Sequence, residues 1–543
     1  MHSHYLDSFT PDAISRLDRD ASTALAAIRE WKNSFVPINR IPLDILSLIP
    51  TYLSFHGDRF RASFVCRHWR KTFLQRGAIW SELFTRKGET YITTLLRRAK
   101  GSGLDVTVND GARLSTITLL PLHQIRRLDF TYSYWEDILS FSEIASGPFL
   151  LLRTLKVANI ETHVQLSALN PPISSPFFRG AANLDHFILS GSPQLLDHFA
   201  FPNLTTFELL TYSVKGSGAS NLLNFLEASP ALRRVELKAT GGIVLEDTPR
   251  ETVVVLPNVE TFSLRVRDRT ATQAYDMAAY ISCPCAKYTS LIHEMDEEVV
   301  TPDLEIFPVP ASWSRILRQY TRSPAEEVVL ELEFSEDPFS LMCSLTFRSP
   351  DATVIRLCLE TFNSVADEDE LFMRFEEIAC EAFSGAHTII QKHPLLSHIK
   401  RLRVKYRSII ENSDLIPRMA TEIGRLFCSI GPLDELTIYN CDPHIYLGSI
   451  APPKYNLWQR QIVFPHIKEL TISHPLMYYD YDEGGFLNTI VELAKTHHSL
   501  GIPFERVTVR AETIFEGVEE RLKQWVGIAN CYEEEYVEIQ NTW

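Results

Sequence analysis

The sequence predicts an α/β protein in which a short N-terminal segment of three helices precedes a long, irregular repeat solenoid. Three observations lead to this fold class. Residues 37–84 carry apolar side chains at helical spacing, interrupted by proline and glycine. Between residues 111 and 515, an apolar triplet of the form L-x-x-L-x-L recurs, as in strands that bury one face. Helical stretches separate many of the triplets, and a solenoid can hold so long a region in one unit.

Composition and charge narrow the class of protein. The chain has 543 residues, of which 45% are hydrophobic, and a net charge of −15. This content argues against wholesale disorder, and the acidic charge argues against a nucleic-acid binder. Nine scattered cysteines indicate reduced thiols. Because we find neither a signal peptide nor a long apolar run, we expect a cytoplasmic or nuclear protein without membrane contact.

The N-terminal segment, residues 1–36, contains an amphipathic helix. An apolar residue recurs every three or four positions between residues 11 and 32: Ile14, Leu17, Ala21, Leu25, Ile28 and Trp31. We expect this face to pack against the helices that follow it. Such a helix could instead bind another protein.

Residues 37–84 predict three short helices. The first begins at Pro42, because proline is tolerated at a first helical position, and ends near Pro50. The second follows the turn signal at Gly57. The third has one apolar face, formed by Val65, Trp69 and Phe73. So small a segment can form only a small hydrophobic core, which leaves apolar surface for a partner.

These residues resemble the F-box, by which substrate receptors of cullin–RING ubiquitin ligases dock onto a Skp-type adaptor. The resemblance rests on IPLDIL at 41–46, VCRHWR at 65–70 and Trp80, while Pro50 departs from the usual pattern. The resemblance implies an adaptor-binding set: Pro42, Leu43, Ile45, Leu46, Ile49, Val65, Cys66 and Trp69. Sequence does not separate the members that face the adaptor from those that form the F-box core. The alternative is an ordinary helical hairpin packed against the rest of the chain.

After a helical linker at residues 85–110, the apolar triplet recurs through residue 515. Its first positions are Ile125, Leu152, Leu184, Leu204, Leu232, Val259, Val354, Ile399, Leu433, Ile467 and Phe504. This region, residues 111–515, resembles the degenerate leucine-rich repeats found behind many F-boxes. The Asn or Cys of regular repeats, three residues after the last strand position, is absent except at Cys441. We therefore expect an irregular solenoid without an asparagine ladder. A domain with a parallel sheet is the alternative.

Residues 265–353 break the repeat period. Two triplets begin at Val329 and Met342, and the short spacing between them and Val354 leaves no room for a helix. Turn signals separate these triplets, so we expect an antiparallel meander in this insertion. Residues 516–543 form a C-terminal tail.

No constellation of residues indicates catalysis. Cys283 and Cys285 with His293 lack the further ligands that zinc needs, and we interpret them as packed thiols. The signatures of α/β-hydrolases, P-loop nucleotidases and zinc proteases are absent. The acidic runs at 367–370 and 533–535 are typical of solvated surface. We expect no cofactor and no metal.

The residue between the second and third positions of each triplet should face away from the core. A basic strand at residues 400–407 could bind phosphate or acidic side chains, or could simply be solvated. The candidate substrate-binding residues on this outward face are Glu208, Glu236, Arg403, Lys405, Thr437 and Thr471. Because the face mixes signs of charge, it indicates no class of ligand.

The resemblance implies a non-catalytic substrate-recognition subunit of an SCF-type ubiquitin ligase. The F-box would bind the adaptor, and the repeats would hold an unknown protein substrate. Two alternatives stay open. An adaptor-binding scaffold that acts outside ubiquitination would bind the adaptor, but the lifetime of its partner protein would not depend on the cullin. An enzyme assembled from distant residues would need a deep pocket with convergent polar groups.

Overall fold

The computed structural model has a mixed α/β architecture in which N-terminal helices precede a large sheet-rich region. The chain divides into two compact units, residues 1–161 with 171–186 and residues 162–170 with 187–543. The structure describes residues 10–53, 56–109, 117–133, 148–159, 178, 181–212, 214, 217–240, 253–267, 277–296, 327–336, 339–350, 354–362, 384, 386–388, 390–391, 399–407, 421–426, 430, 432–439, 467–474, 483–511 and 517–533.

The first unit consists of helices followed by a parallel sheet. Its helices are α1 Pro11–Ser34, α2 Leu43–Leu46, α3 His56–Ala62, α4 Arg67–Gln75 and α5 Glu89–Ala99. Turns of 3₁₀ helix lie at Pro37–Arg40, Ile49–Tyr52, Gly77–Trp80, Thr85–Lys87 and Leu122–Gln124. Its strands, in chain order, are β1 Glu82–Phe84, β2 Leu104–Val108, β3 Ile125–Tyr132 and β4 Thr154–Asn159. Each strand pairs in parallel with the next, so the sheet follows chain order.

The second unit is dominated by strands. They are β5 His186–Ser190, β6 Thr206–Thr211, β7 Arg234–Ala239, β8 Val254–Val255, β9 Thr261–Arg267, β10 Ile281–Ser282, β11 Tyr288–Asp296, β12 Glu327–Glu336, β13 Phe339–Arg348, β14 Val354–Phe362, β15 Arg401–Arg407, β16 Leu433–Tyr439, β17 Ile467–His474, β18 Arg506–Ala511 and β19 Ile528–Glu533. The helices are α6 Ser217–Glu227, α7 Glu483–Ser499 and α8 Val518–Lys523, with a 3₁₀ turn at Pro193–His198. Strands β8 and β10 form a separate parallel pair.

Parallel pairing in chain order governs both ends of the second unit. Strands β6, β7, β9 and β11 pair successively in parallel. Strands β15 to β19 do the same. Between them, β12 pairs antiparallel with β13 and β13 antiparallel with β14, as the short triplet spacing predicts. The meander stands in the sheet in reverse chain order. Its last strand, β14, pairs with β11, and its first strand, β12, pairs with β15.

The apolar triplets form the interior of both units. In ten of the eleven main triplets every member is at most 4% exposed, for example Leu204, Phe207 and Leu209. In the eleventh, the side chains of its second and third positions lie outside the described residues. Helix α6 covers part of this interior, since the Phe225 ring lies 4.8 Å from Phe207 and 5.9 Å from Phe187. In these ten triplets the strands bury the face that the apolar positions share.

Two asparagine side chains make hydrogen bonds from one repeat to the repeat before it, at a position outside the apolar triplet. Asn183 and Asn258 each stand directly before the first triplet position. The Asn183 side-chain amide donates to the Leu150 carbonyl at 2.8 Å. The Asn258 amide donates to the Pro230 carbonyl at 2.9 Å, one repeat earlier. These amides tie the entry of one strand to the turn before the preceding strand.

We expect Asn258→Ala to lower the free energy of unfolding of the second unit by about 1 kcal/mol, the net value of one such hydrogen bond. Asn224→Ala is the matched control, because Asn224 is exposed on helix α6 and alanine favours helix. Urea unfolding followed by circular dichroism measures both variants. Equal stability of the two variants would show that the Asn258 side-chain amide contributes nothing to the free energy of unfolding.

Two expectations from sequence are wrong. No side chain of α1 is buried, so its apolar face does not pack against the following helices as we expected. Residues 85–110, expected to be a helical linker, contain helix α5 but also the paired strand β2, and residues 516–543, expected to be a tail, contain the paired strand β19. Strand β2 buries Leu104, Val106 and Val108 by simple alternation, a pattern without the triplet.

Candidate partner-docking site

The helices between residues 38 and 86 enclose a small aromatic core. Phe73 and Trp80 are at most 1% exposed. The Trp80 indole Nε1 donates to the Phe73 carbonyl at 2.8 Å, so the buried indole is satisfied. The Phe60 ring meets Trp80 edge-on at 5.1 Å, and the Arg98 guanidinium lies over its face at 4.8 Å. This core fixes α4 against the turn Gly77–Trp80.

Asn39 connects α1, α4 and the turn between α1 and α2. Its side-chain oxygen accepts a hydrogen bond from Trp69 Nε1 at 2.8 Å, with Cys66 Sγ at 3.7 Å. Its amide nitrogen donates to the Asn33 carbonyl at the end of α1, also at 2.8 Å. On the other side, Arg59 donates to the Leu53 carbonyl and to Glu82. The start of the helical segment is therefore fixed by polar contacts as well as by the core.

We expect Asn39→Ala to destabilise this helical segment by about 1–3 kcal/mol, because the buried Trp69 indole would lose its acceptor. Hydrogen exchange of the α4 amides measures the change. Asn33→Ala is the matched control, since Asn33 contributes its main-chain carbonyl and would keep the contact. Unchanged exchange in Asn39→Ala would contradict a stabilising role of this amide.

The same segment exposes an unusual number of large apolar side chains for its size. Each is at least 41% exposed: Leu43, Ile45, Leu48, Tyr52, Phe64 and Val65. Leu43, Ile45 and Leu48 come from α2 and its end, and Phe64 and Val65 from the turn between α3 and α4. We refer to these six residues as the docking set. Exposed apolar surface of this kind is typical of a protein-interaction site.

The structure separates the predicted adaptor-binding residues, which sequence could not. Pro42, Leu43, Ile45 and Val65 are exposed. Ile49 and Cys66 are half-buried, whereas Leu46 is 0% and Trp69 6% exposed. Leu46 and Trp69 therefore belong to the segment's own interior. Leu46 is buried while its neighbour Ile45 is exposed, because successive side chains of a helix point in different directions.

Sequence reasoning did not select Leu48, Tyr52 and Phe64 as binding residues. Tyr52 is 82% exposed, at the end of the 3₁₀ turn that contains Pro50. Phe64 carries the Arg70 guanidinium over its ring at 5.2 Å. The signal that could have identified them is an excess of large apolar residues over what three short helices can bury. The exposed face of α4 is basic, with Arg67, Arg70 and Lys71.

The register of the second unit's sheet places several candidate substrate-binding residues in one row. Glu208 lies opposite Glu236 on the neighbouring strand. Farther along the sheet, Arg403 lies opposite Thr437, and Thr437 opposite Thr471. Lys405, two residues beyond Arg403, lies in the next row, opposite Tyr439. The outward-facing positions predicted from the triplets are therefore on one face of the sheet.

At least three of these candidates have partners inside the protein, and Glu236 accepts from the Arg234 guanidinium at 3.0 Å. Arg403 Nε lies 2.8 Å from a carboxylate oxygen of Glu327, a residue that is almost fully buried. Arg348 on strand β13 approaches the same carboxylate at 3.4 Å. Thr437 is 1% exposed and donates to Glu435 at 2.9 Å. Arg403 thus compensates a buried charge, and Thr437 is not at the surface.

The sequence also offered Cys283, Cys285 and His293 as candidates for chemistry. Cys283 is buried, and burial raises the pKa of its thiol well above the ordinary value, so the thiol is protonated at neutral pH. Within the described ranges, no group of three or more His, Cys, Asp or Glu could hold a metal ion. No described helix has the length and apolarity required to span a membrane.

Comparison with known proteins assigns the helical segment. A family model described as F-box-like matches residues 38–86. The chain therefore carries an F-box-like domain, and this domain contains the docking set and its aromatic core. F-box domains generally bind Skp-type adaptors and belong to non-catalytic subunits of ubiquitin ligases. No curated protein matches the chain.

Proposed function

We propose that this F-box protein is a substrate-recognition subunit of an SCF-type ubiquitin ligase. The proposal rests on how the apolar residues of the F-box-like domain are divided between its core and its surface. Its aromatic core is satisfied internally, yet six large side chains remain exposed in the docking set. An adaptor that covers them would bury apolar area and contribute most of the affinity.

The charge around the docking set indicates the character of the adaptor surface. Helix α4 exposes Arg67, Arg70 and Lys71 beside Phe64 and Val65. An adaptor with acidic residues at the rim of its groove would match these charges. Such rim charges accelerate association and orient the partners more than they raise affinity.

The second unit provides the surface for a protein substrate in this proposal. We interpret it as an irregular leucine-rich-repeat solenoid interrupted by the meander β12–β14. The parallel pairing in chain order and the burial of the triplets support this interpretation. A doubly wound domain would instead reverse its strand order near the middle of the sheet. The exposed side chains of the outward rows, including Glu208, Glu236 and Lys405, are the candidate contacts.

The proposal is tested in cells by capturing proteins on the full-length chain and measuring their lifetimes with and without active cullin. A substrate receptor should yield captured proteins whose lifetimes lengthen when the cullin is inactivated. Ile45→Asp in the docking set should lengthen the same lifetimes, because the captured proteins would no longer reach the ligase. Adaptor binding with unchanged lifetimes would instead favour a scaffold outside ubiquitination.

A further inference from the structure

Helix α1 has no role in the function proposed above, yet it displays a long apolar stripe. Six of its large apolar residues, counting the cap residue, are more than half exposed: Ile14, Leu17, Leu25, Ile28, Trp31 and Phe35. The helix has 24 residues and a Thr10 N-cap that accepts from the Ala13 amide. A helix of this length is stable enough to present one continuous face.

The F-box-like domain contacts α1 through one charged side chain and through main-chain carbonyls at the C-terminal end of the helix. Glu30 lies 3.9 Å from Arg67 of α4. The main-chain carbonyls of Asn33 and Ser34 accept from the side chains of Asn39 and Arg40. At 100° per residue, positions 30, 33 and 34 lie opposite the stripe formed by residues 14, 17, 28 and 31. The Glu30–Arg67 contact is therefore on the side of α1 opposite the stripe, and at the C-terminal end of the helix the Arg40 guanidinium lies 6.0 Å from the Phe35 ring of the stripe.

The stripe follows the heptad spacing of a coiled coil. Its members alternate by three and four residues: Ile14, Leu17, Ala21, Ala24, Ile28, Trp31 and Phe35. Small residues occupy the centre and large ones occupy both ends. In a parallel pair of such helices, identical residues would meet, which leaves a gap at the two alanines and crowds the tryptophans.

An antiparallel pair removes this mismatch. In one antiparallel alignment Ala21 faces Trp31 of the second copy, Ala24 faces Ile28, and Leu17 faces Phe35. The flanking charges agree, because Asp18 then lies beside Lys32 of the second copy, twice by symmetry. A parallel alignment brings no opposite charges together along this seam. Size and charge therefore select the same orientation.

We propose that α1 pairs with α1 of a second copy of this chain in an antiparallel coiled coil, making the protein a dimer. Pairing buries the four half-exposed side chains that this alignment brings to the seam in each copy, Leu17, Ile28, Trp31 and Phe35. The contact uses the face of α1 opposite the Glu30–Arg67 contact, so a dimer would hold two F-box-like domains. The proposal does not depend on adaptor binding.

The test is sedimentation of the full-length chain over a range of concentrations. The wild-type chain should form a dimer, and Ile28→Glu should weaken self-association at least about 100-fold, because two carboxylates would enter the apolar seam. Ser22→Glu, which adds the same charge on an exposed position outside the seam, is the matched control and should remain dimeric. A monomeric wild-type chain, or equal dimerisation of both variants, would overturn the proposal.

The orientation has its own test. Asp18→Lys should weaken the dimer about tenfold, because it places a second ammonium group beside Lys32 of the second copy, and adding Lys32→Asp should restore it. A parallel pair does not bring these positions together. Weakening without restoration, or no effect of Asp18→Lys, would contradict the antiparallel arrangement.

Discussion

Ile45→Asp should reduce binding of the chain to a Skp-type adaptor at least about 100-fold, equivalent to some 2.7 kcal/mol. Ile45 is 49% exposed on α2 and belongs to the docking set. In the complex, an aspartate there would lie in an apolar groove without a partner for its charge. In the free protein the same carboxylate would remain in water, so the fold should be unaffected. Titration calorimetry with purified adaptor measures the loss.

Leu119→Asp is the matched control for this prediction. Leu119 is 42% exposed and lies in the first unit but outside the matched residues 38–86. It introduces the same charge at a similarly exposed apolar position and should leave adaptor affinity unchanged. If Ile45→Asp binds as tightly as the wild-type chain, the docking set does not form the interface. Circular dichroism checks that both variants remain folded.

Trp80→Ala should destabilise the F-box-like domain by about 3–5 kcal/mol and abolish adaptor binding as a consequence. Trp80 is 1% exposed and packs against Phe60 under the Arg98 guanidinium. Removing the indole leaves a large cavity and removes one of the two hydrogen bonds that the Phe73 carbonyl accepts, the other coming from the Arg76 amide. Hydrogen exchange of residues 38–86, followed by mass spectrometry, should show strong local loss of protection while the second unit keeps its own.

Trp80→Phe is the informative partner variant. It keeps most of the aromatic volume and loses the hydrogen bond to Phe73, which should cost about 1–2 kcal/mol. Adaptor binding should therefore largely persist. Equal protection in Trp80→Ala and the wild-type chain would contradict the account of this core.

Sequence predicted the buried side of the strands because each triplet encodes its own local geometry. Phe207 and Leu209 alternate with polar residues, and alternation alone determines which side chains face the core. The antiparallel strands β12 and β13 followed from turn signals and short spacing. Their reversed insertion between β11 and β15 was not predicted, because strand order depends on contacts between residues distant in sequence.

Sequence was less informative about the surfaces. The apolar stripe of α1 has the same pattern whether or not a neighbour covers it, so its exposure could not be read from spacing. Ile45 and Leu46 are adjacent apolar residues, so sequence alone does not distinguish them. The packing of α2 exposes Ile45 and buries Leu46. Asn183 and Asn258 were missed because we searched for asparagine three residues after the strand, whereas these two asparagines stand before it.

The most direct test is a hydrogen-exchange footprint of the adaptor on the full-length wild-type chain. The account predicts a saturable complex in which residues 42–53 and 64–66 become protected, since these segments contain the docking set. The outward face of the second unit should exchange as before. No complex at micromolar concentrations, or protection confined to residues outside 38–86, would contradict the assignment of the F-box-like domain as the docking site.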